Sequence, residues 1–258
     1  MKIAVLSDIH GNLPALQAVL EDLERERPDA VVNLGDIASG PLLPAETLDL
    51  LMARDFATIA GNHERQLLRV LGRPREQIDP TTSDGFAALR IPLAHADWLR
   101  GLPATRWVAA DVLLVHGTPA SDLSYWLETV TPDFGTHGSP GLRAATADEV
   151  AARLGEGEAR QRASLVLCGH SHVPRAAQVG GTLVVNPGSV GLQAYDDTHG
   201  GYHQVHNGSP HARYAVVERR VAGWQVRQCA VAYDWATMAR LAAGNGAADW
   251  AYALATGR

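Results

Sequence analysis

The stretch KIAVLSDIH at residues 2–10 joins a short apolar run to an acidic residue and a histidine. Residues 2–7 have the length and composition of a buried β-strand, and a polar turn follows them directly. A helical pattern comes next, because apolar residues recur at three- and four-residue spacing from Leu13 to Arg27. A buried strand followed by an amphipathic helix predicts the first unit of an α/β fold.

The same alternation of strand and helix continues along the chain. Residues 30–34 and 56–60 are further apolar runs, and residues 44–54 between them have a helical pattern. Repeats of this kind predict a largely parallel sheet with right-handed crossovers. Later in the chain we predict strands on both sides of Ala110-Asp111, a helix at 146–154, a strand at 165–168, a hairpin about Gly180-Gly181, antiparallel strands at 214–219 and 224–231, and a terminal helix from Asp234.

Two segments interrupt this regular pattern. Residues 64–104 contain several short helical stretches, which form either a small cap beside the core or helices that pack against it. Residues 195–211 are polar and rich in histidine, and we predict a loop there. Because there is no internal repeat and no long linker, we expect residues 1–258 to form a single domain.

Composition limits the function of the chain. Its 258 residues carry a net charge of −6, which argues against stable nucleic-acid binding. The two cysteines, Cys168 and Cys229, lie in apolar runs and are expected to be buried thiols. No stretch reaches 18 apolar residues, so we expect no membrane span and a cytoplasmic location. The sequence gives no indication of oligomeric state.

Five polar segments stand out because each directly follows a predicted buried strand. In open α/β sheets the carboxyl ends of the strands share one edge, so these segments should converge in space. Buried polar groups need partners, and a metal ion would supply one partner for all of them. The segments are Asp8-Ile9-His10, Gly35-Asp36, Gly61-Asn62-His63-Glu64, His116-Gly117 and Gly169-His170-Ser171-His172.

The residue types in these segments indicate the class of metal. Carboxylate, imidazole and amide oxygen without thiolate suit Mn, Fe or Zn. Seven side chains are more than one tetrahedral ion takes, which favours a two-metal cluster. Two ions about 3.5–4 Å apart can stabilise the attacking and leaving oxygens of a phosphoryl displacement.

In this order, the five segments resemble those of the calcineurin-like metallophosphoesterases. The stretch Asn186-Pro187-Gly188-Ser189-Val190 is similar to the branch of small bacterial Mn-dependent phosphodiesterases. The resemblance covers residues 1–190 and implies a four-layer α/β/β/α sandwich, with the predicted 64–104 segment as a helical insertion. It also implies a dinuclear site along one edge of that sandwich.

The resemblance implies a role for each of these residues. One metal would be bound by Asp8, His10 and His172, and the other by Asn62, His116 and His170, with Asp36 bridging both. A hydroxide between the ions would attack phosphorus in line, and His63 would protonate the leaving oxygen. We expect two divalent ions, with Mn supporting activity in assays and Fe, Zn, Mg or Ni as alternatives. The expected substrate is a small or nucleotide-like phosphodiester or phosphomonoester.

Several residues outside the ligand set are candidates for contact with the substrate. Asn12 would contact substrate phosphate or cap the following helix. Arg65, with Arg69 one turn later, would bind phosphate or belong to a solvated helix face. His137 lies in a loop rich in Gly and Pro, where it could overhang the site. The aromatic residues Tyr125, Trp126 and Phe134 would stack on a base or belong to the core.

Two other functions are compatible with the same segments. A protein Ser/Thr phosphatase would use the same site, but the Arg-bearing segments typical of those enzymes are missing, since Gly35-Asp36 leads into Ile37-Ala38-Ser39-Gly40. A non-catalytic scaffold or protein-interaction module would have lost metal ligands. The complete ligand set argues against that role.

Overall fold

The computed structural model describes residues 1–258 and alternates strands with helices through its first hundred residues. Helix α1 begins at the Asn12 cap, whose Oδ1 accepts a hydrogen bond from the amide of Ala15 at 3.3 Å. In chain order the elements are β1 (Lys2–Leu6), α1 (Leu13–Glu26), β2 (Ala30–Asn33), α2 (Pro44–Met52), β3 (Ala57–Thr58), α3 (Asn62–Leu71), α4 (Ser83–Ala88) and α5 (Leu93–Arg100).

The rest of the chain contains most of the strands. The helix predicted at 146–154 begins after Thr146, whose hydroxyl accepts from the amide of Glu149 at 3.3 Å. The elements are β4 (Thr105–Ala109), β5 (Val112–Val115), β6 (Glu128–Val130), β7 (Leu142–Ala144), α6 (Ala147–Leu154), α7 (Glu158–Arg162), β8 (Leu165–Leu167), β9 (Arg175–Val179), β10 (Thr182–Asn186), β11 (Ala194–Asp197), β12 (His203–His206), β13 (Ala212–Arg220), β14 (Gly223–Val231), α8 (Trp235–Gly244) and α9 (Ala248–Thr256).

Two five-stranded sheets form the centre of the structure. The first has the order β14-β13-β1-β2-β3 and the second the order β4-β5-β8-β10-β9. The strands β1, β2 and β3 run parallel, as do β5, β8 and β10, whereas β13, β14, β4 and β9 pair antiparallel at the outer positions. The sheets are therefore mixed, and their parallel strands place their carboxyl ends at one edge.

Three groups of buried side chains define four layers. Apolar residues of both sheets, such as Val5 and Leu114, pack against each other between the sheets. Leu6 of the first sheet packs with α1 and α2 on its outer face. On the outer face of the second sheet, Val166 packs with Trp126 and with residues of α6. The predicted α/β/β/α architecture is confirmed.

The helices of the 64–104 insertion belong to the core. Leu67 of α3, Ala87 of α4 and Leu99 of α5 are completely buried or nearly so. They belong to the same apolar cluster as Leu16 of α1. Of the two interpretations of this segment, packing against the core describes these helices.

The structure corrects two predictions about the last third of the chain. Residues 195–211 are not simply a loop, because β11 and β12 pair antiparallel and bury Val205 and His203. Their polar composition concealed a strand in which buried and exposed positions alternate. The single terminal helix is instead α8 and α9, which are separated at Gly246 by a residue with φ of 84°.

The two cysteines differ in burial, and the helices are short. Cys168 and Cys229 are both free thiols, and Cys168 is buried as predicted. Cys229 lies on the outer strand β14 and is only half-buried, contrary to the prediction. None of the helices combines the length and the apolar character that crossing a membrane requires.

We predict that α5 contributes to stability through its buried face alone. Leu99→Ala should lower the free energy of unfolding by about 2–5 kcal/mol, because it leaves a cavity in the core. Leu93→Ala is the matched control on the same helix, since Leu93 is 78% exposed. Urea unfolding followed by circular dichroism measures both changes. Equal, small losses for the two variants would contradict the packing of α5 into the core.

Candidate metal centre

The predicted metal ligands lie in loops that follow strands of both sheets, and the backbone there is unusual. Asp8, His10, Asp36, His170 and His172 all have φ between 53° and 68°. This left-handed conformation is uncommon for residues other than glycine and costs energy. Seven residues other than glycine have a positive φ in the structure, and five of them are predicted ligands. The strain is therefore concentrated where the candidate site lies.

Hydrogen bonds between neighbouring loops hold this backbone in place. The amides of Ile9 and His10 both donate to the carbonyl of Asp36, at 2.8 and 3.0 Å. The amide of Asp8 donates to the carbonyl of Gly35 at 3.0 Å. The loops after β1 and β2 consequently form one rigid unit.

The first cluster contains Asp8, His10 and His172. The Nε2 atoms of His10 and His172 are 3.2 Å apart, and Nε2 of His172 is 3.3 Å from Oδ1 of Asp8. All three residues are buried, and their potential ligand atoms lie within 4.8 Å of one another. This spacing would allow a single ion to contact all three.

The second cluster contains Asp36, His116 and His170, with Asn62 beside them. Nε2 of His116 is 3.1 Å from Oδ2 of Asp36 and 3.0 Å from Oδ1 of Asn62. The same Nε2 atom lies 4.0 Å from Oδ1 of Asp8, so the two clusters adjoin. The structure thus brings all seven predicted ligands together.

The hydrogen bonds of the imidazole rings show that their free nitrogens suit a cation. Nδ1 of His10, His116 and His172 each donates to a backbone carbonyl, at 2.8, 2.8 and 2.7 Å. Each Nε2 is therefore directed to the centre, where it offers a lone pair whenever it carries no proton, as metal-binding histidines do. The buried Oδ1 of Asp8 has no hydrogen-bond partner. Such a donor set fits divalent metal ions.

The pKa values of the histidines differ between the clusters. Burial, together with His172, lowers the pKa of His10 to about 4, and burial with His116 lowers the pKa of His170 to about 3. Burial opposes the charge on His116 as well, but Asp36 outweighs it and raises the pKa of His116 to about 10. In the metal-free protein a proton on His116 therefore compensates the charge of Asp36.

Glu64 positions two of the ligand loops without being a ligand itself. Its carboxylate accepts hydrogen bonds from the amides of Asp36, Ile37 and Gly61, at 2.8, 2.8 and 2.7 Å. A Cβ atom at Gly61 would lie 2.2 Å from Oδ1 of Asp36, so only glycine fits there. The final residue of Gly-Asn-His-Glu thus ties the loop after β2 to the start of α3.

His63 is held beside the clusters by an aspartate that no sequence pattern indicated. Its Nδ1 is 3.0 Å from Oδ1 of Asp84, and its amide donates to Oδ1 of Asp36 at 2.9 Å. The hydroxyl of Ser39 also donates to Asp84, at 2.7 Å. Burial opposes the charge on His63, but Asp36 and Asp84 raise its pKa to about 9. Asp84 comes from α4 of the insertion, outside all five polar segments.

A cavity of about 690 Å³ opens onto these side chains. Its floor is formed by five of the predicted ligands and by His63, whose side chain is 27% exposed. The ligands at the floor are His10, Asp36, Asn62, His170 and His172. A small phosphoester can enter a cavity of this size.

None of the three predicted substrate contacts lines this cavity. Asn12 is completely buried, and its side-chain amide donates to the carbonyl of Gly191 at 2.8 Å while its oxygen caps α1. Arg65 points its guanidinium at Asp122 in a bidentate ion pair on the surface. His137 is exposed in a short turn. The capping alternative describes Asn12.

The aromatic residues and histidines left open by the sequence have different positions. Trp126 belongs to the core of the second sheet, whereas Phe134 is 41% exposed. Tyr125 is buried with its ring 4.8 Å from that of His170, and its hydroxyl is 2.9 Å from Nε2 of His203. Among the other histidines, His199 and His206 line the cavity.

Comparisons with known proteins match the chain to one family and to similar folds. The model of the calcineurin-like phosphoesterase superfamily domain matches residues 1–208. A protein of Methanocaldococcus jannaschii is 27% identical over 243 residues, which cover 90% of this chain and 88% of that protein. A metallophosphoesterase from Sphaerobacter thermophilus has a similar structure, with a TM-score of 0.75 and 24% identity over 100% of both chains.

A second solved structure has a comparable likeness. It is a hypothetical protein from Pyrococcus horikoshii, which is 20% identical with a TM-score of 0.73 over 100% of this chain and 98% of that one. At these identities the two structures support the fold. The superfamily match extends over all seven predicted ligands.

We predict that metal binding at the second cluster displaces a proton from His116. Because its pKa is about 10 in the metal-free protein, affinity for Mn²⁺ should rise with pH throughout the neutral range. Calorimetric titration at one pH in buffers of different ionisation enthalpy measures the number of protons released. His116→Ala should abolish that release, while His137→Ala, a change of an exposed histidine, should leave it unaltered. Proton release that is the same in all three proteins would contradict the assignment.

Proposed function

The chain belongs to the calcineurin-like phosphoesterase superfamily, and we propose that it is a metal-dependent hydrolase of a small or nucleotide-like phosphodiester or phosphomonoester. The observation that carries this proposal is the convergence of seven buried candidate ligands, five of which line the floor of a cavity. So many imidazole nitrogens and carboxylate oxygens within about 3–4 Å of one another, only part of which a proton on His116 can satisfy, favour divalent cations as the shared partner.

Within this proposal each cluster would hold one divalent ion. Asp8, His10 and His172 would hold the first, and Asn62, His116 and His170 would hold the second, with Asp36 available to both. When bound, such ions would supply Lewis-acid charge for the phosphoryl oxygens and a water of lowered pKa as the nucleophile. The ligand types accept Mn, Fe or Zn, and Mn²⁺ is expected to support activity in the assay.

His63 supplies the proton that the leaving oxygen requires. Its Nδ1 is engaged by Asp84, which leaves Nε2 as the position that can donate a proton into the cavity. Because Asp36 and Asp84 raise its pKa to about 9, the ring carries that proton at neutral pH. His63 would thus act as general acid, and Asp84 orients it.

Hydrolysis of bis-p-nitrophenyl phosphate and of p-nitrophenyl phosphate tests the proposal directly. We expect the stripped protein to be inactive and Mn²⁺ to restore turnover of at least one of the two esters. Asp36→Ala should lower the restored rate by at least about 10²-fold, since it removes the bridging charge. Asp55→Ala is the control, because Asp55 is an exposed carboxylate after α2.

The pattern of turnover decides between the remaining functions. Preference for the diester would establish a phosphodiesterase, and preference for the monoester a phosphatase. Faster turnover of a phosphoserine peptide than of either chromogenic ester would replace the proposal with a protein phosphatase. Equal rates for wild type and Asp36→Ala, or no turnover with both ions bound, would contradict the proposal and favour a scaffold.

We predict that the loss caused by His63→Gln depends on the leaving group. An alkyl leaving group needs a proton, so kcat for an alkyl phosphoester should fall by about 10²–10⁴-fold. The loss should be much smaller for p-nitrophenyl esters, because p-nitrophenolate leaves readily without a proton. Steady-state kinetics on the two ester types measures this difference.

Asp84→Asn provides a milder version of the same test. It should lower the pKa of His63 and move the alkaline limb of the kcat profile to lower pH, because Asp84 is one of the groups that raise that pKa. Asp97→Asn changes an exposed acid of α5 and serves as the control. For His63→Gln, equal losses of kcat on the alkyl ester and on the p-nitrophenyl esters would show that His63 is not the general acid.

A further inference from the structure

The cavity has an outer wall whose chemistry differs from that of its floor. Two elements form this wall, the β11–β12 hairpin and the terminal helix α9. Helix α9 lies outside the 1–208 match to the superfamily model. A role for this wall in substrate binding rests on the proposed function, because it concerns the part of the phosphoester that would extend outward from the floor.

The wall is a packed structure. Leu192, Ala194 of β11 and Ala253 of α9 form one buried apolar cluster. The amides of Asn207 and Gly208, which follow β12, donate to the carbonyl of Gly257 at 3.1 and 2.9 Å. The open end of the hairpin is therefore joined to the C-terminal part of the helix by apolar packing and by backbone hydrogen bonds.

Aromatic rings form one part of the wall. The indole of Trp250 meets the ring of His10 edge-on, with 5.8 Å between ring centroids. A Cβ atom at Gly40 would lie 2.8 Å from this indole, so the loop after β2 accommodates it only because residue 40 is glycine. Tyr252, also on α9, lines the cavity and is 59% exposed.

Carboxylates form the other part. Asp196, Asp197 and Asp249 line the cavity, and none of them forms an ion pair with Lys or Arg. Asp196 accepts one hydrogen bond, from the hydroxyl of Tyr202 at 2.7 Å. Arg258 is the only Lys or Arg that lines the cavity, and the imidazoles there besides those of the floor are His199 and His206. Three carboxylates against one guanidinium leave the wall negative.

The chemistry of the wall suits a positive charge. Aromatic faces and carboxylates together are the groups that bind quaternary ammonium and other organic cations. A polyphosphate chain would bring like charge against Asp196, Asp197 and Asp249 and would be disfavoured. The floor, which is suited to a phosphate, and the negative wall thus match opposite ends of a zwitterion.

We propose that the outer wall binds the organic substituent of the phosphoester and selects a cationic amino alcohol, such as choline, over neutral or anionic groups. The probe is p-nitrophenyl phosphorylcholine, a diester. Water attacks phosphorus, the bond to the p-nitrophenyl oxygen breaks, and p-nitrophenol and phosphorylcholine are the products. The matched control substrate is p-nitrophenyl 3,3-dimethylbutyl phosphate, which has the same shape without the charge.

The first readout is the ratio of kcat/KM for the choline ester to that for its neutral isostere. With Mn²⁺ bound, we expect wild type to favour the choline ester about tenfold, which is typical of a few exposed charge and cation–π contacts. In the triple variant Asp196→Asn, Asp197→Asn, Asp249→Asn the ratio should fall to about one. Trp250→Leu should also lower the ratio of kcat/KM values.

The single variant Asp249→Asn has a closely matched control in Asp148→Asn. Each aspartate is the second residue of its helix, follows an alanine and is exposed, but only Asp249 lines the cavity. Both changes remove the same charge from a helix N-terminus, so their effects on stability should be alike. Only Asp249→Asn should lower the substrate ratio.

The second readout is binding, which does not require turnover. Calorimetry should give a Kd for phosphorylcholine about tenfold lower than that for 3,3-dimethylbutyl phosphate, and the triple variant should abolish the difference. Equal kcat/KM and equal Kd for the charged and neutral members of each pair would overturn this inference and leave the proposed function intact. A wild-type ratio that the triple variant does not change would also overturn it. Absence of Mn²⁺-dependent turnover of every ester would instead refute the proposed function, and the inference that rests on it would fall with it.

Discussion

The constraint on which this structure depends is the close contact of buried imidazole and carboxylate groups, with nitrogen–oxygen distances of 3.1 and 3.3 Å. Three rings donate Nδ1–H to backbone carbonyls, which fixes their Nε2 atoms toward two buried carboxylates. In the metal-free state a proton on His116 relieves part of the repulsion, while Oδ1 of Asp8 has no partner. A divalent cation in each cluster would satisfy all of these groups together.

The surrounding fold can be understood as the support for this arrangement. Five candidate ligands occupy left-handed backbone conformations, and interlocked loops hold them there. Glu64 accepts three amide hydrogen bonds from the loops that present Asp36 and Asn62, and Gly61 leaves room for the carboxylate of Asp36. The insertion packs into the core through α5, yet it also delivers Asp84 to His63. Stability and site geometry are therefore supplied by the same helices.

The sequence predicted the parts of the site that depend on topology. Asp8, Asp36, His116 and the others each follow a short apolar strand, and parallel strands end at a common edge, so their convergence could be foreseen. Asp84 and Trp250 could not be foreseen in this way. They belong to helices whose position over the sheet edge is set by tertiary packing, and no local pattern records that position.

Other differences between the sequence-based predictions and the structure have equally specific causes. Arg65 found a surface partner in Asp122, 57 residues away, which the sequence could not indicate. The β11–β12 hairpin was concealed because only alternate residues of a polar stretch are buried. The left-handed backbone of the ligands was also invisible, since aspartate and histidine give no signal comparable to glycine.

Anomalous diffraction from crystals grown with Mn²⁺ would show whether the seven residues hold two metal ions. We expect two anomalous peaks per chain, about 3.5–4 Å apart, as in two-metal phosphoesterase sites. One peak should lie among Asp8, His10 and His172, the other among Asn62, His116 and His170, with Asp36 between them. A single peak, or none within the cavity floor, would contradict a two-metal centre at these residues.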